Sequence, residues 1–188
     1  MIVFIIVIAV IVFIAVITIM EYNSLVVLRN RVANQSAQVD VQLKRRAELI
    51  PNLIETAKGY AKFEKSTLTD IAQLRSKILN SGNTSEACAA DEKLGRICSR
   101  VLALGESYPE LKSNTNFLKL QDELSETENK IVMARQFYND TVTKYNTAVQ
   151  VFPKSVIAGV FGFKKKELLE ISHSEREPIR FDSNTFLI

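Results

Sequence analysis

Along the first twenty residues, Met1 to Met20, nothing alternates: there is no charge, no Pro and no Gly, and Thr18 is the only polar side chain. A helix in water shows a polar position every three or four residues, and this stretch shows none. Twenty residues at about 1.5 Å rise cover roughly 30 Å, the hydrocarbon thickness of a bilayer. The stretch is predicted to be a transmembrane helix. A cleaved signal peptide and a pilin-type leader fit less well: no Lys or Arg precedes the run, and Ile19-Met20-Glu21-Tyr22 offers no small-x-small cleavage site.

Beyond Tyr22 the pattern turns amphipathic. Apolar residues recur at Leu25, Leu28, Val32, Val39, Leu43, Ile50, Leu53, Ala57, Ala61, Leu68, Ile71, Leu74 and Ile78, mostly three, four or seven apart. This predicts one helix running out of the membrane to about Ile78, kinked near Leu49–Pro51, and ended by Asn80-Ser81-Gly82-Asn83. A second helix is expected from Thr84 or Ser85 through Leu94, Ile97, Val101, Leu102 and Leu104 to the region of Gly105 and Pro109. The third carries a heptad seam of Phe117, Leu120, Leu124, Thr127, Ile131, Ala134, Tyr138, Thr141, Tyr145, Ala148 and Phe152, capped by Ser113, Asn114 or Asn116 and stopped by Pro153. Residues 156–163 form a short apolar segment containing Gly159 and Gly162, followed by Lys164-Lys165-Lys166, with a turn or two of helix expected to about Ser172. No strand alternation of useful length appears.

The predicted fold is all-α: an N-terminal transmembrane helix continuous with an antiparallel bundle of three long helices plus a short C-terminal helix. The expected divisions are an anchor over 1–20, a bundle over 21–172 and an extended or disordered tail over 173–188. With three helices leaving, returning and leaving again, Pro153 is expected at the membrane-distal end, where residues 156–166 would cap the bundle rather than touch lipid.

Charge sets the orientation. Arg29 and Arg31 follow the span closely, Lys44, Arg45 and Arg46 lie farther on, and nothing basic precedes it. The positive-inside rule then places the N-terminus outside and the domain in the cytoplasm. A net charge of +3 from 24 basic and 21 acidic residues is no nucleic-acid footprint. Cys88 and Cys98 are expected to be free, partly buried thiols.

The stretches Asn23-Ser-Leu-Val-Val-Leu-Arg-Asn30, Gln38-Val-Asp-Val-Gln-Leu-Lys-Arg-Arg46, Leu49-Ile-Pro-Asn-Leu-Ile-Glu55 and Lys58-Gly-Tyr-Ala61 resemble the LemA family signature. A second block agrees: Glu128-Asn129, Ala134-Arg135, Tyr138-Asn139, Val142, Tyr145-Asn146 and Phe152-Pro153. The resemblance covers roughly residues 1–165 and implies a bacterial, single-pass, helical membrane protein; it carries no enzymatic activity with it. Ser36 stands where the family commonly has Trp, and Phe63 where a His often precedes Glu, so any role of those side chains does not transfer.

Candidate chemistry is sparse. The one His, His173, cannot supply two Glu-x-x-His motifs for a di-iron bundle. Zinc-type Cys/His spacing, a phosphate loop and a nucleophile elbow are all missing from the sequence. No cofactor, metal site or catalysis is expected. What exceeds simple helix needs is a polar set: Asp40, Arg45, Arg46, Asn52 and Glu55 on the first helix, with Arg135, Asn139 and Asn146 on the third. It reads in three ways: as a solvated face with pairs such as Glu55–Lys58, as a buried layer that pairs with Glu123, Glu128 or Asn129 and fixes register, or as a partner-binding face. The expected function is a scaffold or adaptor at the bacterial inner membrane. Membrane remodelling and regulation of a membrane protease or sensor are the alternatives. The expected partners are the lipid bilayer, a membrane or cytoplasmic protein and a second copy of the chain, with no nucleic acid.

Overall fold

The computed structural model describes residues 1–169, and all described secondary structure is helical. α1 runs from Ile2 to Lys58 without interruption. None of residues 1–20 is buried, Ile17 and Thr18 being half-buried and the rest exposed, as suits residues solvated by lipid. The single polar group there is satisfied locally, because the Thr18 hydroxyl donates to the Ile14 carbonyl at 2.8 Å. From Leu25 onward one face of the same helix is core: Leu25, Val32, Val39, Leu43, Ala47, Ile50, Leu53, Ile54 and Ala57 are buried. Pro51 sits inside α1, and the helix continues past it.

α1 ends at Lys58 rather than near Ile78. Gly59 follows a basic last turn, and residues 59–64 form the turn before α2 (Lys65–Asn80). Ala61 and Leu68 kept the apolar spacing in phase across this break, which disguised it. Gly is a poor helix former, and one placed just after a basic last turn is a stop signal that the phase hid, although Gly59 itself keeps right-handed dihedrals (φ −64°, ψ −21°). α3 spans Thr84–Ser107, capped by the Asn83 side chain, which accepts from the Ser85 amide. The four-residue α4 (Pro109–Lys112) leads to Asn114, whose side chain caps α5 (Thr115–Gln150) at the Asn116 and Phe117 amides. After a cis Phe152–Pro153 bond comes α6 (Lys154–Phe161), closed by Gly162 at φ 72°. That left-handed conformation suits Gly and strains residues with a Cβ.

The extra turn reverses everything after it. α2 returns along α1, with the Arg75 Nε donating to the Ala47 carbonyl. α3 runs parallel to α1, Thr84 lying by Ser36 and Asp40 and Asp91 lying by Arg46. α5 is therefore antiparallel to α1, in constant register: Asn114 meets Tyr60, Glu128 meets Arg46, and Lys154 meets Glu21. Pro153 and α6 consequently lie where α1 leaves the span, opposite to the membrane-distal placement expected from three helices.

The α5 seam follows the heptad through Tyr138 and again at Tyr145 and Ala148, and departs from it at Thr141. Val142 is fully buried and Thr141 is not, while Phe152 lies beyond the helix and is exposed. Within the helix the apolar Val142 takes the core position beside the polar Thr141, whose hydroxyl donates to the Phe137 carbonyl instead.

Residues 164–169 form no helix; they run extended back along α5. The expected helical turns fail here because two Tyr-Asn pairs on α5 hold the backbone instead. Tyr145 donates to the Lys164 carbonyl at 2.9 Å, and Tyr138 donates to that of Glu167 at 3.1 Å. Asn146 donates to the Lys166 carbonyl and accepts from its amide, both at 2.8 Å. Asn139 does the same for Leu169, at 2.9 and 2.8 Å. Seven helical residues rise about 10.5 Å and three extended residues cover about 10 Å, so the repeats match. Burial raises both phenols above the ordinary tyrosine value and keeps them protonated donors. His173 and the expected tail fall outside the described residues.

This ladder makes a prediction. Each Asn supplies two hydrogen bonds worth about 1 kcal/mol each. Asn139→Ala should therefore speed exchange of the Leu169 amide, and Asn146→Ala that of Lys166, by about thirtyfold. Hydrogen-exchange measurement on each variant checks it, and exchange at the wild-type rate would contradict the ladder.

Candidate functional site

The polar residues of α1 divide by their position around the helix. Arg45, Asn52 and Glu55 are exposed, and Glu55 pairs with Lys58 one turn on, at 3.0 Å. Asp40 and Arg46 face neighbouring helices. Asp40 accepts from the Thr84 hydroxyl at 3.2 Å, and Thr84 also meets Ser36 at 2.6 Å. Here Ser36 helps position the start of α3.

Arg46 is the junction of three helices. Its guanidinium bonds Asp91 of α3 at 3.1 Å and also pairs with Glu128 of α5. The two carboxylates differ sharply in environment: the Asp91 side chain is 2% exposed and that of Glu128 is 48%. Gly95 makes room for the guanidinium, since a Cβ there would stand 2.8 Å from an Arg46 terminal nitrogen. Between α3 and α5 opens a groove of about 720 Å³ lined by Arg46, Asp91, Gly95, Cys98, Glu128 and Arg135, among others. Arg46 Nε, Asp91 Oδ1 and Arg135 Nε are buried without a hydrogen-bond partner among the described residues. Asn139 and Asn146 are absent from this layer, being committed to the C-terminal segment.

The electrostatics are dominated by burial. Burial pushes the Asp91 carboxyl up to about 6, against the opposing pull of Arg46. It also raises both thiols, Cys98 to about 11 and Cys88 despite the neighbouring Arg135. Both cysteines are free and buried, so neither offers a thiolate near neutral pH. Among the described residues no group of three or more His, Cys, Asp or Glu is placed to hold a metal ion. The arrangement locks helices together, and its one titration near neutrality belongs to Asp91.

That titration sets a pH dependence. In the unfolded chain Asp91 loses its proton near 3.8, and in the folded protein near 6. Between those values the folded state holds the extra proton. Asp91's contribution to stability is therefore full below about 4 and lost as pH rises through about 6. Asp91→Asn should remove this component: its stability relative to wild type should improve by about 2–3 kcal/mol between pH 4 and pH 7. Thermal melts across that range decide it, and parallel curves for the two proteins would contradict the assignment.

A signal for Arg46 was present in the sequence. It lies seven residues from Val39 and three from Leu43, on the buried face, whereas Arg45 is one position off it. Asp91 carried a like signal, standing three residues before Leu94 and seven before Cys98 on the buried face of α3, whereas Gly95 lies one position off that face and carried none.

The LemA family model matches residues 35–182, which takes in all of this layer and the α5 ladder. A Protein LemA from Metamycoplasma hominis is 26% identical over 155 residues, covering 82% of this chain and 71% of its own length. Magnetosome protein MamQ from Magnetospirillum gryphiswaldense is 23% identical over 186 residues, covering 85% of this chain and 68% of that protein. Magnetosome protein MamQ 2 from Paramagnetospirillum magneticum is 24% identical over the same coverage. With most of its helical region matched, and an apolar N-terminal helix of anchoring length ahead of it, this chain belongs to the LemA family.

Proposed function

We propose that the protein is a non-catalytic scaffold or adaptor of the bacterial inner membrane, with its bundle in the cytoplasm. The observation that carries this reading is the continuity of α1. One unbroken helix supplies both the apolar anchor and the central core element of the bundle. Such a helix passes position and orientation from the membrane to the bundle without a hinge. The bundle extends about 55 Å beyond the span by helical rise, and its far end, at residues 59–64 and 108–114, is the end best placed to meet other proteins.

Cross-linking in native membranes tests the role. A photo-reactive residue at Lys62, exposed at the far end, should give discrete adducts with a second copy or with a membrane or cytoplasmic protein. A chain that gives no adduct there, and migrates as a monomer from native membranes, is no scaffold. Orientation is tested separately with Lys62→Cys, since the buried native thiols leave the new one as the reactive site. A membrane-impermeant maleimide should label it only after permeabilisation, and labelling of intact cells would reverse the topology.

A second reading, membrane remodelling, draws on the apolar residues exposed around α6 beside the anchor and on the magnetosome proteins among the relatives. Deformation of vesicles by the purified full chain would favour it over the scaffold.

A further inference from the structure

The α6 region is apolar on both sides. Ile157, Ala158 and Phe163 are buried against the bundle. On the outward side Phe152 is 82% exposed, Val160 75% and Val156 57%, with Phe161 and Val151 also exposed. Between Val156 and Gly162 there is no polar side chain at all. A short helix facing water on one side ordinarily places polar residues there, and an exposed apolar patch rimmed by charge marks a contact surface.

The position of the patch names the contact. Lys154 pairs with Glu21 at 3.4 Å. Tyr22 packs at a tilt against Phe161 and edge-on against Phe163, with ring centroids 4.8 and 5.7 Å apart. Arg29 lies over the Phe163 ring at 5.3 Å. Opposite ends of α6 thus reach consecutive residues of α1, which holds α6 at the height where the span ends. Its exposed apolar side chains continue the exposed apolar surface of residues 1–20. Lys164, Lys165 and Lys166 follow directly and are exposed. The α5 ladder fixes their backbone, through the Lys164 carbonyl and both polar groups of Lys166.

We infer that α6 and its flanks form an interfacial foot that docks on the anionic lipid surface beside the span. Phe152, Val156, Val160 and Phe161 enter the boundary between headgroups and acyl chains, and Lys164–Lys166 meet acidic headgroups. Apolar burial of a few ångströms joined to a basic cluster is the usual physics of a helix lying in the interface. It also supplies the aromatic girdle that α1 lacks in sequence: Tyr22 is the only ring at the exit, and Phe152, Phe161 and Phe163 join it from more than a hundred residues away. The inference rests on α1 being a membrane anchor and on neither the scaffold role nor the orientation.

The chain contains no Trp, so one introduced Trp reports its own surroundings. Full-length Val160→Trp, Phe137→Trp (exposed on α5, away from the span) and Phe13→Trp are each reconstituted in vesicles of brominated phosphatidylcholine and phosphatidylglycerol. Phe13→Trp should be strongly quenched. Val160→Trp should be quenched at least about twofold more than Phe137→Trp, as expected of interfacial burial. The excess should shrink when phosphatidylglycerol is omitted, and when Lys164→Gln, Lys165→Gln and Lys166→Gln are combined with the reporter. Quenching at Val160→Trp no greater than at Phe137→Trp, with Phe13→Trp still quenched, overturns the foot and leaves the anchor standing. Unquenched Phe13→Trp removes the anchor and the foot with it. Quenching indifferent to lipid charge and to the lysines overturns the anionic assignment. A shielded but unquenched Val160→Trp that becomes exposed on dilution with lipid identifies a second copy as the occupant and overturns the proposal.

Discussion

Replacing Arg46 by Met should lower the melting temperature of the bundle by roughly 10 °C at pH 7, while Arg45→Met should leave it almost unchanged. The two arginines are neighbours in sequence and share a charge, yet only Arg46 sits between Asp91 and Glu128. Removing it leaves the Asp91 carboxylate buried at 2% exposure with its counter-charge gone. Stranding a buried charge costs about 3–5 kcal/mol, and a protein of this size moves about 2–4 °C per kcal/mol. Exposed substitutions such as Arg45→Met stay within about 0.5 kcal/mol. Because Asp91 takes up a proton near pH 6 even with Arg46 present, the Arg46→Met deficit should shrink toward pH 5, where the acid is neutral. Circular-dichroism melts of the full chain in detergent at both pH values measure all three quantities. An Arg46→Met protein that melts like wild type would show that the layer holds no register.

Phe117→Ala should be equally damaging for a different reason. Phe117 is 2% exposed in the first turn of α5, and its ring lies against Gly105 of α3, where an added Cβ would come within 3.0 Å of it. The ring fills the join between α3 and α5 at the far end of the bundle, below the cap made by Asn114. Truncating a buried Phe costs about 3–5 kcal/mol, part transfer and part cavity. The same melts should show a fall comparable to that of Arg46→Met but independent of pH, since no titrating group is stranded. A fall of less than about 1 kcal/mol would mean that the site collapses around the missing ring.

These two residues show how far the sequence could be read. Phe117 opened the α5 seam, and that seam runs to Ala148 with one exchange, Val142 being buried in place of Thr141. Arg46 belonged to a polar set that position around α1 splits into inward and outward members. The set itself could not say which partner helix each would meet. The spacing of Asp91 to Leu94 places it inward, but a lone acid and a lone Gly gain meaning only when Arg46 reaches them from another helix. The largest misreading came from a small cause. Periodicity carried across Gly59 hid one turn, and one hidden turn reverses the direction of every later helix. Pro51, the conspicuous residue, interrupts nothing, whereas Lys58-Gly59, the quiet one, ends α1. The position of α6 beside the membrane followed only once the reversals were counted correctly. The Tyr-Asn repeat, legible as family residues, gave no hint that its partner would be extended backbone of the same chain.

The unbroken passage of α1 from bilayer to bundle makes the protein a lever. Transmembrane helices lean by about 20° on average, over a range of about 0–40°, and a rigid arm of about 55 Å converts a 20° change in lean into a sideways sweep of roughly 19 Å at its tip. Anything that alters bilayer thickness, and with it the lean of the span, is therefore felt far from the lipid as a change in where the tip can reach.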